Sequence, residues 1–385
     1  MTPTSETLKD LEHIHICGSE DTFCAHPRQG GIFSFGNNEI AVIHNHAPCR
    51  YDTPESVMHD FGGYHSQAKI LLQRSFDGGA TWPQDQEVVV YDESRPIEER
   101  RDFVSREGPR EEVDLSSPDS AVYFGRTYAG PTDGKPEMIC FAIRSADRGK
   151  TWDRVPSIVL PPSSMTTVHK DCHPILRMPD GTFLAAMSMG PPGQVVLYGS
   201  DDNGLTWEFL ASVVIDATGN GRSTYAGLLQ LPDGRLQMYM LNIDGERNAI
   251  QVSESENGYL WSPPRPIVRF GCSPWAARRK PGDWKLGMHY RSPWPLQLRD
   301  GRIVVLFGRR KPPFGLGCLF SEDQGATWSP EFIIRDDAEH WDLGYAVATE
   351  LDDGRIFTAY YFNVPGQHTA MGARRFIAGS FFNLP

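Results

Sequence analysis

Five chemically capable residues recur at one spacing. Counting back nine or ten positions from a turn glycine reaches Asp171 (Gly181), Tyr225 (Gly234), Arg291 (Gly301) and Tyr345 (Gly354). The same count from the end of the turn Gly36-Asn37-Asn38 reaches Arg28. Two guanidinium groups, two phenols and a carboxylate at equivalent places suit the capture of a carboxylate, because a guanidinium forks onto two oxygens at once. Histidines gather nearby: His44, His46, His59 and His65 early in the chain, then His169 and His173 in VHKDCHP. On a strand, His44-x-His46 would turn both rings to one face, as a metal pair needs, but no full ligand set accompanies them. No metal and no cofactor is therefore expected.

Positioning these residues requires a repeated frame, and the sequence spells one. SFDGGATW begins at 75, SADRGKTW at 145, SDDNGLTW at 200, ESENGYLW at 254 and SEDQGATW at 321, at intervals of 70, 55, 54 and 67 residues. Periods of this length mark a supersecondary unit repeated in space. Before each of three boxes, and again near the C-terminus, an Asp-Gly turn (180–181, 233–234, 300–301, 353–354) separates two short apolar runs, which reads as a β-hairpin. A further apolar run, the box and a last run complete four antiparallel strands, the content of a propeller blade. Asp and Gly in the box suit a tight loop, and the tryptophan suits an anchor.

Inner hairpins begin near residues 28, 118, 172, 225, 292 and 345, predicting a six-bladed, all-β propeller built as a single domain over residues 1–385. The last blade lacks a box and a full outer strand. The alternating segment LEHIHICG, within residues 1–25, is predicted to complete it and close the ring. The 37 Gly and 30 Pro suit a chain full of turns, and a mean hydropathy of -0.40 suits a soluble one. A net charge of -12 argues against nucleic acid, and no apolar run is long enough for a membrane helix. Seven cysteines without a CxxC pair, behind an N-terminus without the pattern of a signal peptide, predict reduced thiols, neither disulfide frame nor zinc site, and a cytoplasmic location.

The boxes, the inner-strand register and the motif GYAVATELDDG together resemble the sialidase (neuraminidase) superfamily, over essentially all of residues 25–385. The resemblance implies three arginines on the substrate carboxylate, a tyrosine nucleophile activated by a glutamate, and an aspartate acid/base. On that basis Arg28, in AHPRQGGIFSF, is the first arginine, although Arg-Gln-Gly replaces the family's Arg-Ile-Pro. Arg247 is the second; Arg309 or Arg310 is the third, with Arg291 competing. Tyr345 is the nucleophile and Asp60 the acid/base, with Asp52 as runner-up. Where the family has its glutamate this chain has Tyr225, so either another carboxylate, Asp171 or Asp342, takes that role or the reaction differs.

The expected function is that of an exo-acting hydrolase removing a terminal acidic sugar, sialic acid or a related nonulosonic acid. One alternative is a His-dependent rhamnosidase or lyase acting on uronate-containing polysaccharide through His44, His46 and His65. The other is a propeller that binds glycans without chemistry. Trp284, Tyr290 and Trp294 form either a sugar-stacking wall or a packed loop.

Overall fold

The computed structural model describes residues 7–59, 62–129, 138–162, 167–170, 175–190, 194–215, 221–244, 247–270, 289–366, 369 and 371–385. Its strands form six antiparallel sheets in a ring. The first holds β2 (Thr22–Ala25), β3 (Ile32–Gly36), β4 (Glu39–Pro48), β5 (Lys69–Ser75) and β6 (Val88–Asp92). β2 and β3 both pair with β4, as one inner strand interrupted by a 3-10 turn at Pro27–Gln29. The second holds β7 (Ala121–Tyr128), β8 (Met138–Ser145) and β9 (Ser157–Val159). It has no inner strand among the described residues: SREGPREEVD (105–114), charged and lacking an apolar run, precedes it without forming one. Before it comes the helix α1 (Ile97–Val104).

The third blade comprises β10 (Thr167–Lys170), β11 (Leu176–Arg177), β12 (Phe183–Gly190), β13 (Gln194–Ser200) and β14 (Glu208–Ile215). β15 (Gly221–Gln230), β16 (Leu236–Asp244), β17 (Arg247–Ser255) and β18 (Arg265–Phe270) make the fourth. The fifth is β19 (Tyr290–Gln297), β20 (Ile303–Arg309), β21 (Phe314–Ser321) and β22 (Phe332–Ala338). In the sixth, β23 (Gly344–Glu350), β24 (Ile356–Phe362) and β25 (Phe376–Asn383) are joined on the outer edge by β1 (Lys9–Cys17). The N-terminal strand thus closes the ring, as its alternating pattern predicts, while residues 22–25 of the same segment begin the first blade. Among the described residues no helix is long and apolar enough to cross a membrane.

The boxes are cross-blade staples. In the third blade's box, Asp202 accepts from the Ser200 hydroxyl at 2.8 Å, the Thr206 amide at 2.9 Å and the Thr206 hydroxyl at 2.6 Å. Ser200 in turn accepts the Gly204 amide at 2.8 Å, and Gly204 takes φ 77°, which glycine allows without strain. The loop so fixed throws its tryptophan onto the preceding blade: Trp207 packs edge-on against Phe124, Trp328 against Tyr239, and Trp82 stacks on Phe357 across the closure. Buried aliphatic and aromatic side chains fill the seams between sheets.

Arg28 departs from its expected place. It lies in the 3-10 turn and is wholly buried. Its guanidinium reaches across the ring to the fourth and fifth blades, donating to the carbonyls of Tyr225 at 2.8 Å, Ala226 at 2.6 Å and Pro293 at 3.1 Å. Through Nε and Nη2 it is therefore an internal brace onto backbone oxygens, and it does not line the central pocket.

Two outcomes follow for stability. Partial burial would raise the Asp202 pKa, but the bonds from Thr206 and Ser200 hold it below the usual carboxylate value. Its stabilisation is thus fully present above the unfolded pKa of about 3.9 and is lost as pH falls through the lower folded value. Asp202→Ala should cost about 1–2 kcal/mol in denaturant unfolding near neutral pH, and the gap from wild type should narrow in strong acid. Arg28→Ala should cost more, on the order of 3–5 kcal/mol, because it strands three buried carbonyls and opens a cavity. An unchanged melting temperature for that variant would contradict the bracing role.

Candidate active site

Left-handed residues at the head of the inner strands build the site. His26, Tyr225, Ser292 and Tyr345 have φ of 59°, 57°, 53° and 54°. Non-glycine residues in this region cost about 1–3 kcal/mol each and persist where surrounding structure enforces them. In the fourth, fifth and sixth blades the pairing register slips there, between Thr224 and Gly227, Arg291 and Trp294, and Gly344 and Val347. Each slip is a bulge, which re-aims side chains at the end of a sheet. Gly344 is needed beside one of them: it takes φ 102°, and a Cβ there would stand 3.0 Å from the Gly308 Cα.

These bulges face a pocket of about 590 Å³, lined among others by His26, His59, His65, Arg126, Tyr225, Arg291, Arg310, His340, Trp341, Asp342, Tyr345 and Arg375. Among its described lining residues four arginines face the single carboxylate of Asp342, an excess of three positive charges. Such a concave, cationic wall raises the local concentration of anions.

At its centre Arg291 joins two phenols. One guanidinium nitrogen donates to Tyr345 Oη at 2.6 Å and also to Tyr225 Oη, and the two hydroxyls stand 2.8 Å apart. Burial alone would lower the Arg291 pKa, but the two phenols push it up, so it remains a cation. Beside it a chain of hydrogen bonds ends on the buried Asp342. The Tyr64 hydroxyl lies 2.7 Å from His26 Nδ1, His26 Nε2 lies 3.1 Å from His59 Nδ1, and His59 Nε2 lies 3.1 Å from Asp342 Oδ2. With one ring proton per histidine, every link has a donor and an acceptor if all donate toward the carboxylate. Asp342 also accepts from Tyr361 Oη at 2.6 Å and from Arg375 Nε at 3.2 Å, while Arg310 donates to Tyr361 at 2.7 Å. Burial would raise the Asp342 pKa, yet His59, Arg375 and Arg310 together hold it well below the carboxylate range.

A second chain runs through His65. Its Nδ1 donates to Glu93 at 3.0 Å, leaving Nε2 to accept from Arg126 at 3.3 Å. Burial drives the His65 pKa down to about 4 despite Glu93, and burial with Arg375 does the same to His340. Both rings are neutral near neutral pH.

Of the residues singled out in the sequence, Tyr225, Arg291, Tyr345 and His65 thus meet in one pocket, with His59, Arg310 and Asp342 beside them. Arg28 does not, nor does Arg309, whose guanidinium is taken by Glu331 at 2.6 Å and the Pro313 carbonyl at 3.0 Å. His44 and His46 sit on β4 away from the pocket, His44 turned toward Cys17. Asp52 lines a neighbouring cavity of about 500 Å³. Tyr290 and Trp294 are buried in seams, Trp294 donating to the Ala348 carbonyl at 3.1 Å, so neither stands as a stacking wall. Asp60, Asp171, His173 and Trp284, with the side chains of Arg247 and His169, lie outside the described residues.

His26, Arg126, His340 and Arg375 were missed. For His26 a signal existed: counting ten residues back from Gly36 itself, which has φ 77° and is the turn glycine, lands on His26, whereas counting from Asn38 lands on Arg28. Arg126 and Arg375 carry no such mark, because each enters the pocket from outside the inner-strand register.

Among solved structures, a protein of unknown function from Dyadobacter fermentans superposes with a TM-score of 0.69 at 20% identity, covering 98% of this chain and 99% of that one. The K499G mutant of NanB sialidase from Streptococcus pneumoniae gives 0.59 at 13% identity, over 99% and 71%. Trypanosoma rangeli sialidase in complex with the inhibitor DANA gives 0.60 at 13%, over 97% and 60%. The α-L-arabinanase of Penicillium chrysogenum, complexed with arabinobiose, gives 0.55 at 15%, over 97% and 98%. At these identities the likeness establishes a shared propeller fold. No curated protein matches the chain. The sequence profile of the BNR repeat-like domain, in contrast, matches residues 65–358, well over half of the chain, and to that family the chain belongs.

Proposed function

We propose that the protein is an exo-acting glycoside hydrolase of sialidase type, removing a terminal acidic sugar. The observation that carries this reading is Arg291, a buried cation bonded to both Tyr345 and Tyr225 on the wall of a pocket with excess positive charge. The substrate carboxylate would be drawn to the arginines of that wall, with Arg126 and Arg291 in leading roles; Arg247 remains a proposed third partner. A guanidinium forked onto a carboxylate gains charge-assisted bonds that fix the ring's orientation.

Tyr345 would attack the anomeric carbon. A phenol approaches an anionic sugar without the repulsion a carboxylate nucleophile would meet, and Arg291 stabilises the negative charge that develops on its oxygen as the proton leaves. Tyr225, in hydrogen-bond contact with that oxygen, is the first station for the proton, and Asp171 the proposed acceptor beyond it. Asp60, next in sequence to the pocket residue His59, would protonate the leaving oxygen and later activate water. Sialidases among the structures of like fold, one of them in complex with sialic acid, support this substrate class.

A second reading draws on a separate feature, the Tyr64–His26–His59–Asp342 chain. A histidine oriented by a buried carboxylate is the arrangement a general base uses, and it suits lyase or rhamnosidase chemistry on uronate polysaccharide. Lyase action would leave an unsaturated uronate that absorbs in the ultraviolet.

Fluorogenic sialosides test the first reading. Tyr345→Phe should lower kcat by about a hundredfold or more with KM little changed, since the lost oxygen acts in the chemical step. Full turnover by that variant would remove Tyr345 from the mechanism; no sialoside turnover by wild type, with an ultraviolet-absorbing product from uronate polysaccharide, would favour the second reading. Arg291→Lys keeps the charge and loses the fork, so kcat/KM should fall about tenfold to a hundredfold. Wild-type kinetics in Arg291→Lys would show that the fork is not used.

A further inference from the structure

Away from the pocket, on the seam where the ring closes, three soft donors converge. Cys17 ends β1 of the last blade, opposite Ile377, while Cys24 lies on β2 and His44 on β4 of the first. Their ligand atoms all lie within 4.8 Å of one another, and Cys17 Sγ is 3.3 Å from His44 Nε2. Ligands bound tetrahedrally to zinc, at about 2.3 Å for sulfur and 2.0 Å for nitrogen, stand roughly 3.5–3.8 Å apart, so small side-chain shifts would seat an ion. All three residues are buried, at 3%, 0% and 1% exposure.

The imidazole is already in the tautomer a metal requires. His44 Nδ1 lies 3.1 Å from the Asn45 carbonyl, which can only accept, so Nδ1 carries the proton and Nε2 presents its lone pair to Cys17. His46 stands directly across from Cys24 and two residues from His44 on the same strand face, and its Nδ1 is buried without a hydrogen-bond partner. Rotation of its ring would supply a fourth donor.

We propose that Cys17, Cys24 and His44, with His46 completing the set, bind a single thiophilic cation of the zinc class as a clasp between the first and last blades. Two thiolates and imidazole select such an ion over magnesium or calcium. Binding displaces the two thiol protons, so one Zn²⁺ enters as two H⁺ leave. The ion would bind the folded ring and stabilise it by mass action, closing a seam otherwise held by strand pairing and packing. It is a structural site, since no open position faces the pocket.

Full-length protein purified with a non-thiol reductant, stripped by chelator and titrated with Co²⁺ tests the proposal. A thiolate-to-cobalt charge-transfer band in the near ultraviolet should appear at one equivalent and be displaced by Zn²⁺. It should be lost in Cys24→Ser and in His44→Ala, with folding of each checked by circular dichroism. Zn²⁺ should raise the melting temperature of wild type and leave that of Cys24→Ser unmoved; should both variants fail to fold, the wild-type spectrum and zinc stoichiometry still decide. Absence of the band in reduced wild type, a band that persists in Cys24→Ser, or thiol titration showing Cys17 and Cys24 joined as a disulfide in protein prepared without reductant would overturn it.

Discussion

Arg28 lies across the middle of the ring, and its three backbone acceptors are the carbonyls of two bulges. A bulge turns carbonyls out of the strand ladder, and a buried carbonyl without a partner costs about 1–3 kcal/mol. The guanidinium, with its donors in a fixed fork, satisfies three at once and ties the first blade to the fourth and fifth. Those bulges hold Tyr225 and Ser292 at positive φ and set the direction in which Tyr225 and Arg291 enter the pocket. The charge that the inner-strand register offers at residue 28 therefore works one step behind the pocket, holding the backbone that aims Tyr225 and Arg291 into it.

The same constraint explains how the site can hold so much charge in a buried place. Desolvating a cation is costly unless its hydrogen bonds are replaced. Arg310 gives its donors to the Leu343 carbonyl and Tyr361, Arg375 to Asp342, the Ala373 carbonyl and His340, and Arg291 to the two phenols. Among the described residues lining the pocket only Asp342 returns full negative charge, with Glu93 standing behind His65. The residual positive potential would be neutralised by the anionic substrate proposed above, and the phenols that accept from Arg291 are the groups such an anion would displace or react with. The neutral rings of His65 and His340 add hydrogen-bonding capacity without adding to the repulsion.

Much of this was legible in the chain, for identifiable reasons. The boxes could be read because a tight turn that must bind its own amides tolerates little besides Ser, Asp and Gly, and because the tryptophan has a cross-blade partner to meet. Tyr225, Arg291 and Tyr345 could be found because the distance from an Asp-Gly turn to the bulge is constant, one residue per strand position. In the first blade the count fails, since a 3-10 turn at Pro27–Gln29 replaces the bulge and the turn glycine precedes two asparagines at positive φ. Asp342 lies two residues before Gly344, just outside the counted register, and Arg126 and Arg375 come from β7 of the second blade and a connecting loop. Their convergence is a property of the closed ring, with no counterpart in linear spacing.

Closure is also where sequence distance is most deceptive. His44 and His46 drew notice as a pair with no partners, and the cysteines as an odd set with no CxxC, because neither strand carries a ligand set alone. β1 is the outer strand of the last blade and Cys24 lies on the strand that begins the first, so the eight residues from Cys17 to Cys24 cross from one blade to the next. That crossing turns sharply at Gly18, with φ 120° and room for no side chain against Phe376. The Cys24 amide donates to the Arg375 carbonyl at 3.1 Å, so the backbone that joins the blades also anchors the arginine beside Asp342. A ring that opened at this seam would lose its outer strand and, with it, the placement of a pocket cation. Closure of the fold and geometry of the site are in this sense a single requirement, met by residues 17–24 and 375 together.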